Sequence, residues 1–582
     1  MSKFPVHIAD PFEYKSKKAR VRLWHTFCFL GVFLLMFSCR ELQSQEDAQQ
    51  VADPQVMDRA VSDVLQERIR HLGQGDEFLF DSVRLQAGGL LKNAYTAQDY
   101  RPVWCSQERF MPRADTLIRF IEKARYYGLY PSSYHLGSLQ ELYRRALADS
   151  AGTGDRKSRL FWVQAELVFS DAFLLLAQHL HKGRMLPDSI HNQYDTLQVQ
   201  ERCVNAFGRV VNGFGLVEEL ELLEPAGEAY QSLRKALRGF LDTARLEPVY
   251  TYLRYPYKDS LQFVHDLVQR LRESGWMPAG TGLPDAGTLA AVLTRLQQSA
   301  GLTPDGKFGT QVVRYLNRTD PEIFKQVAIN LDRYRLLPDQ LPGRFIWVNL
   351  PSFSLRLWDM DTVRLESRVI VGKPITRTPL LSSHITDIVT YPQWTVPNSI
   401  IVKEMLPSLR KDPGYLAKKG YMLLTWQGEE VDPWLVDWSK YKTGIPYKVV
   451  QGSGDANALG ILKFNFHNRY SVYLHDTNQR SLFRSDNRAL SHGCVRVQAW
   501  EQLARYILQS DSVAAAGTAR AAITDSVRVW MERKERRVVP VKTRFPVYFR
   551  YFTAEAREGK LLLYPDIYGE DALVRGNYPI EN

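Results

Sequence analysis

The chain has 582 residues, of which 45% are hydrophobic and 24% charged, and its formal net charge is +11. At about 150 residues per domain, this length predicts roughly three or four folded domains, and the composition excludes a mainly disordered chain. No long stripe of lysine and arginine accompanies the positive charge, which excludes a dedicated nucleic-acid-binding protein. The charge remains compatible with an anionic surface as partner, such as a membrane or a cell wall.

The N-terminus has the layout of an export signal. Basic residues between positions 15 and 22 precede an apolar run at 24–37, and Ser38 and Cys39 follow it. This run is short for a membrane span of about 20 residues. Lipidation of Cys39, an uncleaved signal anchor and cleavage elsewhere within 1–39 all stay open, and all three predict export. We expect a protein on the periplasmic side, tethered to a membrane by a lipid or by one helix.

Cysteine usage fits an exported protein. Of the five cysteines, Cys105, Cys203 and Cys494 follow the signal segment, so at least one of them is unpaired. Cys105 and Cys203 either form a disulfide or remain two buried free thiols, and the sequence leaves both open. The sequence contains no C-x-x-C pair and no His/Cys spacing suited to zinc, so we predict no metal site and no cofactor.

The first half of the chain is read as a tether followed by a helical domain. Residues 40–77 are rich in Gln, Asp and Glu and poor in aromatic side chains, which predicts a polar tether. From 78 to 250 the apolar residues recur at helical spacing, most clearly at 118–129, 162–180 and 230–246. We expect a helical scaffold there, without catalytic residues.

A second helical unit is predicted at 255–320. One helix should run to about Ala300, where Gly301 ends it, and the turn PDGKFG should lead to another helix near Thr310. The pattern of a helix, GL-x-x-DG-x-(F/Y)-G and a second helix resembles the small three-helix peptidoglycan-binding domain. That resemblance implies a cell-wall glycan as a partner.

After residue 343 the helical spacing gives way to β-branched and aromatic residues between turn residues, and this β pattern continues to about 575. A mixed stretch at 374–446 interrupts it, and an insertion of that size in a β fold is often a lid. The segments at 545–552 and 561–569 are expected to return to the same sheet. The predicted fold class is therefore α+β and multidomain: a helical scaffold, a small three-helix domain, and a mainly β, β-sandwich-like domain with an inserted lid.

Residues suited to nucleophilic catalysis stand in this β domain. His475 lies at the end of a predicted strand, and Cys494 follows in the sequence SHGCVRV at 491–497. A thiol near pKa 8.5 is mostly protonated at neutral pH, and a neighbouring imidazole can accept its proton. Gly493 permits close backbone approach, and amides at such a turn can point at a developing oxyanion. The alternative is a buried structural cysteine, since free cysteines are usually inert.

The order of these residues resembles the L,D-transpeptidase family with the YkuD-type catalytic domain. Its motif is a histidine, a loop, and (S/T)HGC followed by an apolar residue, an arginine and an apolar residue. The segments QGSGDANALGILKF (451–464), VGKPITRTPLLSS (371–383) and YPQWTVPNSI (391–400) look like the large, multi-domain branch of the family. The resemblance covers roughly residues 80–570 and makes 343–575 the catalytic domain, with 374–446 as its lid.

The resemblance implies roles for the motif residues. Cys494 is the nucleophile and His475 the base, and the Gly493 and Cys494 amides contribute to an oxyanion hole. The backbone beside His475, with or without Asp476, orients the imidazole, although Asp476 as a solvated turn residue stays open. His492 either lines the site or has a packing role.

Further residues are substrate-site candidates on the same resemblance. Arg496 either fixes the cysteine loop or meets a substrate carboxylate. Ser491 belongs to the motif, and Tyr473, Trp394 and Asn457 lie in segments expected to border the site.

The implied activity is a peptidoglycan L,D-transpeptidase that uses a Cys494 thioester to join a tetrapeptide stem donor to the diamino-acid side chain of an acceptor stem, forming 3→3 cross-links. Stem peptides, glycan and a membrane are the expected partners, and carbapenems the expected covalent inhibitors. An L,D-carboxypeptidase, D-amino-acid exchange and a non-catalytic wall-binding scaffold remain alternatives. A papain-like protease is disfavoured, because there the cysteine precedes the histidine.

Overall fold

The computed structural model describes residues 51, 53–72, 79–80, 83–149, 154–185, 195–247, 250–280, 282–513 and 521–578. The predicted export signal, with Cys39, lies outside these residues. The chain divides into two compact units. The first unit takes the described residues of 1–125, 129–181 and 195–224, and the second takes those of 126–128, 182–194 and 225–582.

The first unit is predominantly helical, which confirms the predicted helical scaffold. It contains α1 (Pro54–Arg70), α2 (Gly88–Ala97), α3 (Pro112–Glu122), α4 (Leu136–Ala148), α5 (Arg159–Lys182), α6 (Thr196–Val211) and α7 (Leu216–Glu221), with the short hairpins β1 (Leu79–Phe80) with β2 (Val83–Arg84) and β3 (Cys105–Ser106) with β4 (Arg109–Phe110). Cys105 and Cys203 are both buried free thiols, so the disulfide alternative does not apply.

Helix α5 forms the core of the first unit. Among the described residues it is the one helix long and apolar enough to cross a membrane, but 94% of its apolar window is buried inside the protein. A helix that is apolar on all sides and enclosed in this way is a core helix. Its Glu166 carboxylate accepts the backbone N–H groups of Val103, Trp104 and Cys105, which fixes the start of the β3–β4 hairpin.

The predicted polar tether at 40–77 is wrong over Pro54–Arg70, where α1 forms. Asp53 caps the helix by accepting the Gln55 N–H at 2.9 Å, and Pro54 stands in the first turn. Val61, Val64 and other apolar residues at helical spacing are buried. The polar composition concealed this spacing, because a single apolar stripe suffices to anchor a helix.

The second unit begins with α8 (Glu228–Leu241), α9 (Ser260–Glu273), α10 (Ala286–Ser299), α11 (Thr310–Asn317) and α12 (Asp320–Arg335). Helices α9, α10 and α11 share a hydrophobic core of their own, as expected for a small three-helix domain. Helix α8, which the prediction assigned to the scaffold at 78–250, packs against α12 in this unit.

The PDGKFG turn between α10 and α11 is held by one glutamine. The Gln297 side chain accepts the Gly306 N–H at 2.9 Å and donates to Asp305 at 2.7 Å and to the Lys307 carbonyl at 2.9 Å. Gly306 has a φ of 68°, which a side chain would strain. The predicted end of α10 and the start of α11 at Thr310 are confirmed.

The rest of the second unit is mainly β, as predicted. In chain order its elements are β5 (Arg344–Asn349), β6 (Ser354–Asp359), β7 (Thr362–Gly372), β8 (Leu381–Thr390), β9 (Trp394–Thr395), α13 (Asn398–Ile400), α14 (Leu406–Leu409), α15 (Tyr415–Lys418), β10 (Tyr421–Leu424), β11 (Lys448–Gln451), β12 (Leu462–Phe466), β13 (Leu474–His475), β14 (Ala489–Ser491), β15 (Val495–Val497), α16 (Trp500–Val513), α17 (Ala521–Glu532), β16 (Arg537–Arg550), β17 (Ala554–Arg557), β18 (Lys560–Leu563) and α18 (Glu570–Val574).

Nine of these strands form one sheet in the order β14-β7-β15-β13-β12-β8-β16-β5-β6, and a further pairing of β6 with β7 joins its two sides. Strands on opposite sides therefore face each other across one hydrophobic core, to which α16 also contributes. In β12, Leu462, Phe464 and Phe466 are buried, whereas Lys463 and Asn465 alternate with them. Such alternation gives the sheet one core face and one outer face.

The insertion in the β domain has a core of its own. Strands β10, β11 and β9 form a three-stranded sheet, and α14 packs on it with a separate apolar cluster. The insertion predicted at 374–446 is too long at its start, because β8 is a strand of the main sheet. It is also too short at its end, because β11 pairs with β9 and β10. We call this part, residues 394–451, the inserted subdomain.

Of the two C-terminal segments that were predicted to join the main sheet, one does and the other does not. The segment at 545–552 does return to the main sheet as part of β16. The segment at 561–569 does not, because β18 pairs with β17 in a separate hairpin. Glu558 and Gly559 at its turn both have positive φ values, 52° and 76°, and two such residues in a row close a tight hairpin.

Candidate active site

His475 lies on a strand of the main sheet, and Cys494 directly precedes the adjacent strand. Strand β13 runs parallel to β15, with Leu474 opposite Val495. Both of these residues are fully buried in the sheet core. Because side chains alternate along a strand, His475 and Cys494, one position after and one position before this pair, share the other face. The strand register thus brings the predicted base and nucleophile together on one surface.

The loop that carries Cys494 is fixed by short hydrogen bonds. Ser491 Oγ donates to the Cys494 carbonyl at 2.6 Å and accepts the Gly493 N–H at 3.1 Å. Thr378 Oγ1 donates to the Gly493 carbonyl at 2.8 Å, and Tyr568 Oη accepts the Thr378 N–H at 3.2 Å. Gly493 has a φ of 125°, so only glycine allows this conformation without strain. Ser491 therefore positions the loop.

The backbone amides of this loop are not equivalent. The Gly493 N–H is donated to Ser491 Oγ, whereas the Cys494 N–H has no acceptor within the described part of the chain. A free amide beside a nucleophile can donate to a developing oxyanion. Of the two predicted oxyanion donors, Cys494 has its amide available and Gly493 does not.

The Cys494 thiol is half-buried and donates weakly to the Ser471 carbonyl, with 3.9 Å from Sγ to O. Burial raises the pKa of the Cys494 thiol. The Tyr473 backbone and hydroxyl hydrogen bonds and the positive charges of Lys463 and Arg496 pull this pKa the other way. The thiol is therefore protonated at neutral pH and needs a base.

The His475 ring is held in one tautomer. It is buried, and its Nδ1 lies 2.5 Å from the Asp476 carbonyl oxygen, which only accepts hydrogen bonds. Nδ1 therefore carries the proton, and Nε2 has a lone pair in the neutral ring. Burial, with a further contribution from the Arg496 charge, lowers the pKa of His475 to about 3. The ring is neutral, as a base must be.

No hydrogen bond joins Cys494 Sγ to the His475 ring among the described residues. His475 pairs in register with Arg496 of β15, and Cys494 stands two residues before Arg496, an offset of roughly 7 Å along the strand. An aromatic side chain and a thiol can bridge that separation by rotation about χ1.

Asp476 acts on His475 through its backbone. Its carboxylate is fully buried and accepts from Arg480 Nη2 at 2.8 Å and from the Ile461 N–H at 3.2 Å. Asp476 is therefore not a solvated turn residue, and that alternative is wrong. The ion pair with Arg480 fixes the position of the carbonyl that orients the imidazole.

Two cations share the face of the sheet with the thiol. Lys463, which the sequence analysis did not single out, pairs in register with His475 across β12 and β13. Its Nζ lies 3.8 Å from the centre of the Tyr473 ring. Arg496 donates to Gln479 Oε1 at 3.0 Å, and within the described residues no hydrogen bond joins its side chain to residues 491–494, so its role in fixing that loop stays a prediction.

The inserted subdomain contacts the site at two points. His492 Nε2 lies 2.5 Å from Glu404 Oε1, in the helical turn between α13 and α14, so His492 joins the cysteine loop to this subdomain. At its first strand, the Trp394 side chain lies near the Tyr473 side chain, and Trp394 and the Cys494 thiol both act on the pKa of Tyr473. Burial raises the pKa of the Tyr473 hydroxyl most strongly, and the neighbouring Cys494 thiol raises it further.

Two family models match this chain. Residues 343–519 match the L,D-transpeptidase catalytic domain (YkuD), and residues 89–237 match the scaffold domain. The second unit carries an L,D-transpeptidase catalytic domain of the YkuD family. The resemblance found in the sequence is confirmed, and the Cys494 face belongs to this transpeptidase domain.

A relative and a solved structure are also similar to the chain. The chain is 38% identical over 260 residues to a Haemophilus influenzae protein named as a candidate L,D-transpeptidase. The matched region covers 43% of this chain and 49% of that protein. The chain thus spans about half the length of the curated relative it matches. A structure of the Ldtfm–avibactam carbamoyl enzyme is 12% identical, with 38% of this chain and 61% of that chain covered and a TM-score of 0.14, which is too low to support an argument.

Asn457 supports the transpeptidase domain from a distance. Its side chain is buried, donates to the Gly452 carbonyl at 2.8 Å and accepts the Leu459 N–H at 2.8 Å. Its polar atoms are thus engaged within their own loop, which ends beside His475. Asn457 is a positioning residue for that loop.

Replacing Gly460 by alanine in the transpeptidase domain is expected to destabilise it by about 1–3 kcal/mol and to slow acylation. A Cβ here would lie 2.3 Å from Asp476 Oδ2 and displace the group that orients His475. Thermal unfolding and the rate of Cys494 acylation measure both effects. Gly559→Ala is the matched control, since its φ of 76° is similar but no atom lies within 4 Å of the added Cβ. Equal effects of the two variants would contradict a specific role of Asp476.

Proposed function

We propose that the protein is a peptidoglycan L,D-transpeptidase with Cys494 as nucleophile and His475 as base. The observation that carries the proposal is the shared outer face of β13 and β15, on which a protonated thiol and a neutral imidazole are diagonal neighbours. The match to the L,D-transpeptidase catalytic domain supports the reaction class.

In the first step, rotation of the Cys494 side chain brings Sγ to His475 Nε2, which takes the thiol proton. The thiolate attacks the carbonyl that joins the third residue of a tetrapeptide stem to its terminal D-alanine, and the free Cys494 N–H donates to the oxyanion. The C–N bond then breaks, and the imidazolium gives its proton to the departing amine. A thioester and free D-alanine result.

In the second step, the side-chain amine of a diamino acid on a neighbouring stem attacks the thioester. His475 takes a proton from the attacking nitrogen and returns it to the departing thiolate. The product is an amide between the third residues of two stems, a 3→3 cross-link. The pair of proton transfers leaves the enzyme unchanged.

We propose that the inserted subdomain acts as a lid that excludes water from the thioester. Its contacts with the site, His492 with Glu404 and Trp394 with Tyr473, support this role. A site closed by a mobile element favours an amine acceptor over water. The separate core of the subdomain is compatible with movement as one body.

Two proposals concern location. Helices α9–α11 bind wall glycan, for which the half-exposed rings of Tyr255 and Tyr257, at 39% and 41% exposure, offer stacking surfaces. The protein is exported and held at a membrane through its N-terminal segment, as the sequence predicts. A mass spectrum of the mature N-terminal peptide tests this, with diacylglycerol on Cys39 as the sign of a lipid anchor.

Incubation of the full chain with sacculi, followed by muropeptide analysis, tests the function. We expect dimers with a 3→3 link and free D-alanine, and neither with Cys494→Ala. Tripeptides without dimers would favour an L,D-carboxypeptidase, and exchange of the terminal residue would favour D-amino-acid transfer. Unchanged muropeptides with retained sacculus binding would favour a non-catalytic wall-binding scaffold.

A further inference from the structure

The charge around Cys494 is unbalanced. Lys463 has no hydrogen bond and no ion pair within the described residues, and burial lowers the pKa of its ammonium group. The carboxylate that acts on it electrostatically, Asp387, instead accepts from Asn465 at 2.6 Å and from Thr386 at 2.8 Å. Among the described residues, the Lys463 ammonium group thus interacts with the Cys494 thiol and contacts the face of the Tyr473 ring, and no carboxylate pairs with it.

The half-buried guanidinium group of Arg496 also lacks an anionic partner within the described residues. Its Nη1 donates to the neutral side chain of Gln479, while its buried Nε has no partner among the described residues. Burial lowers the pKa of the Arg496 guanidinium too. Half-buried cations without anions are costly, because each loses hydration without gaining a partner. Two of them on one face indicate that an anion completes the site.

Lys463 and Arg496 both lie near Cys494, so the anion that pairs with them must be a substrate group close to the scissile bond. Arg496 is two residues from Cys494 on the same face of β15, roughly 7 Å along the strand. The side chain of Lys463, which pairs with His475, reaches the ring of Tyr473 just before β13, and its charge interacts with the Cys494 thiol. In a tetrapeptide donor, the C-terminal carboxylate follows the scissile nitrogen by one Cα. It is therefore the anionic group that must lie near Sγ when attack occurs.

We propose that Lys463, together with Arg496, binds the terminal carboxylate of the donor peptide and selects donors that end in a free carboxylate. This rests on the proposed function. Arg496 supplies directional guanidinium donors, and Lys463 supplies a point charge beside Tyr473. The site thereby recognises the residue that departs, so it acts on chain ends and not on internal bonds.

A pair of donors tests this inference: a stem tetrapeptide with a free C-terminal carboxylate, and the same peptide as its C-terminal carboxamide. For the unaltered chain we expect kcat/KM to favour the free acid by about 10- to 100-fold, the range of a charge-assisted hydrogen bond. In Lys463→Met this preference should fall by about tenfold, mainly through slower use of the free acid, and Arg496 accounts for the preference that remains.

Three further variants make the test specific. Lys463→Arg should restore most of the preference, since it restores the charge. Lys560→Met, at an exposed lysine of the β17–β18 hairpin, should keep the full preference. Lys463→Gln serves as a second neutral variant if Lys463→Met does not fold.

The outcomes separate the inference from the proposed function. An unaltered chain that uses both donors equally, or a Lys463→Met variant that keeps the full preference, overturns the inference and leaves the transpeptidase intact. An unaltered chain that releases no D-alanine from the free acid, while its Cys494 thiol is accessible to a thiol reagent, overturns the proposed function itself.

Discussion

Replacement of Cys494 by alanine is expected to reduce 3→3 cross-link formation by at least about 10⁴-fold and to abolish covalent labelling by a carbapenem. The thioester cannot form without Sγ, and no other described thiol can replace it. Intact-protein mass spectrometry of the full chain after incubation with a carbapenem measures the label, and muropeptide analysis measures the cross-links.

Cys203→Ala is the matched control for this prediction. Cys203 is buried in the first unit, and burial raises the pKa of its thiol to about 12, so it is unreactive at neutral pH. This variant should keep both the label and the activity. A carbapenem adduct that persists in Cys494→Ala, or that fails to form on the unaltered chain, would show that the nucleophile is misassigned.

His475→Gln is expected to slow acylation of Cys494 at pH 7 by about 10²- to 10⁴-fold, since glutamine fills the space but accepts no proton. The variant should recover partly as the pH rises, because hydroxide then generates the thiolate directly. Stopped-flow measurement of carbapenem acylation between pH 4 and 10 gives both results. An unchanged rate at pH 7 would exclude His475 as the base.

A further prediction concerns how the activity of the unaltered chain depends on pH. The active form has a neutral imidazole, and burial lowers the pKa of His475 to about 3. Activity should therefore persist below pH 5 and fall only as the pH approaches this value, as long as the protein stays folded. An acid limb near the ordinary histidine value of about 6.5 would contradict the buried, neutral ring. The lowered pKa of His475 also makes folding less favourable as the pH falls below about 6.5. In that range His475 of the unfolded chain binds a proton, whereas His475 of the folded chain stays neutral.

Much of the candidate site follows from local sequence. The apolar pattern before His475 predicts a strand that ends at this residue, and the short loop that follows predicts that Cys494 can fold back to it. The scaffold helices and the turn before Thr310 follow from helical spacing and glycine placement in the same way. Helix α1 was missed because its polar composition outweighed its apolar stripe.

By itself, the amino-acid sequence determined most helices and strands and the resemblance to the catalytic domain, and it predicted the pair His475 and Cys494, since these depend on residues close together in the chain. Only the tertiary structure decided the rest: that Lys463 lies opposite His475, that Glu404 meets His492, and that the Gly493 amide is occupied while that of Cys494 is free. Each of these depends on strand register or on how an insertion folds back over a loop. Contacts between residues far apart in the chain arise from packing of the whole domain, which no local pattern encodes.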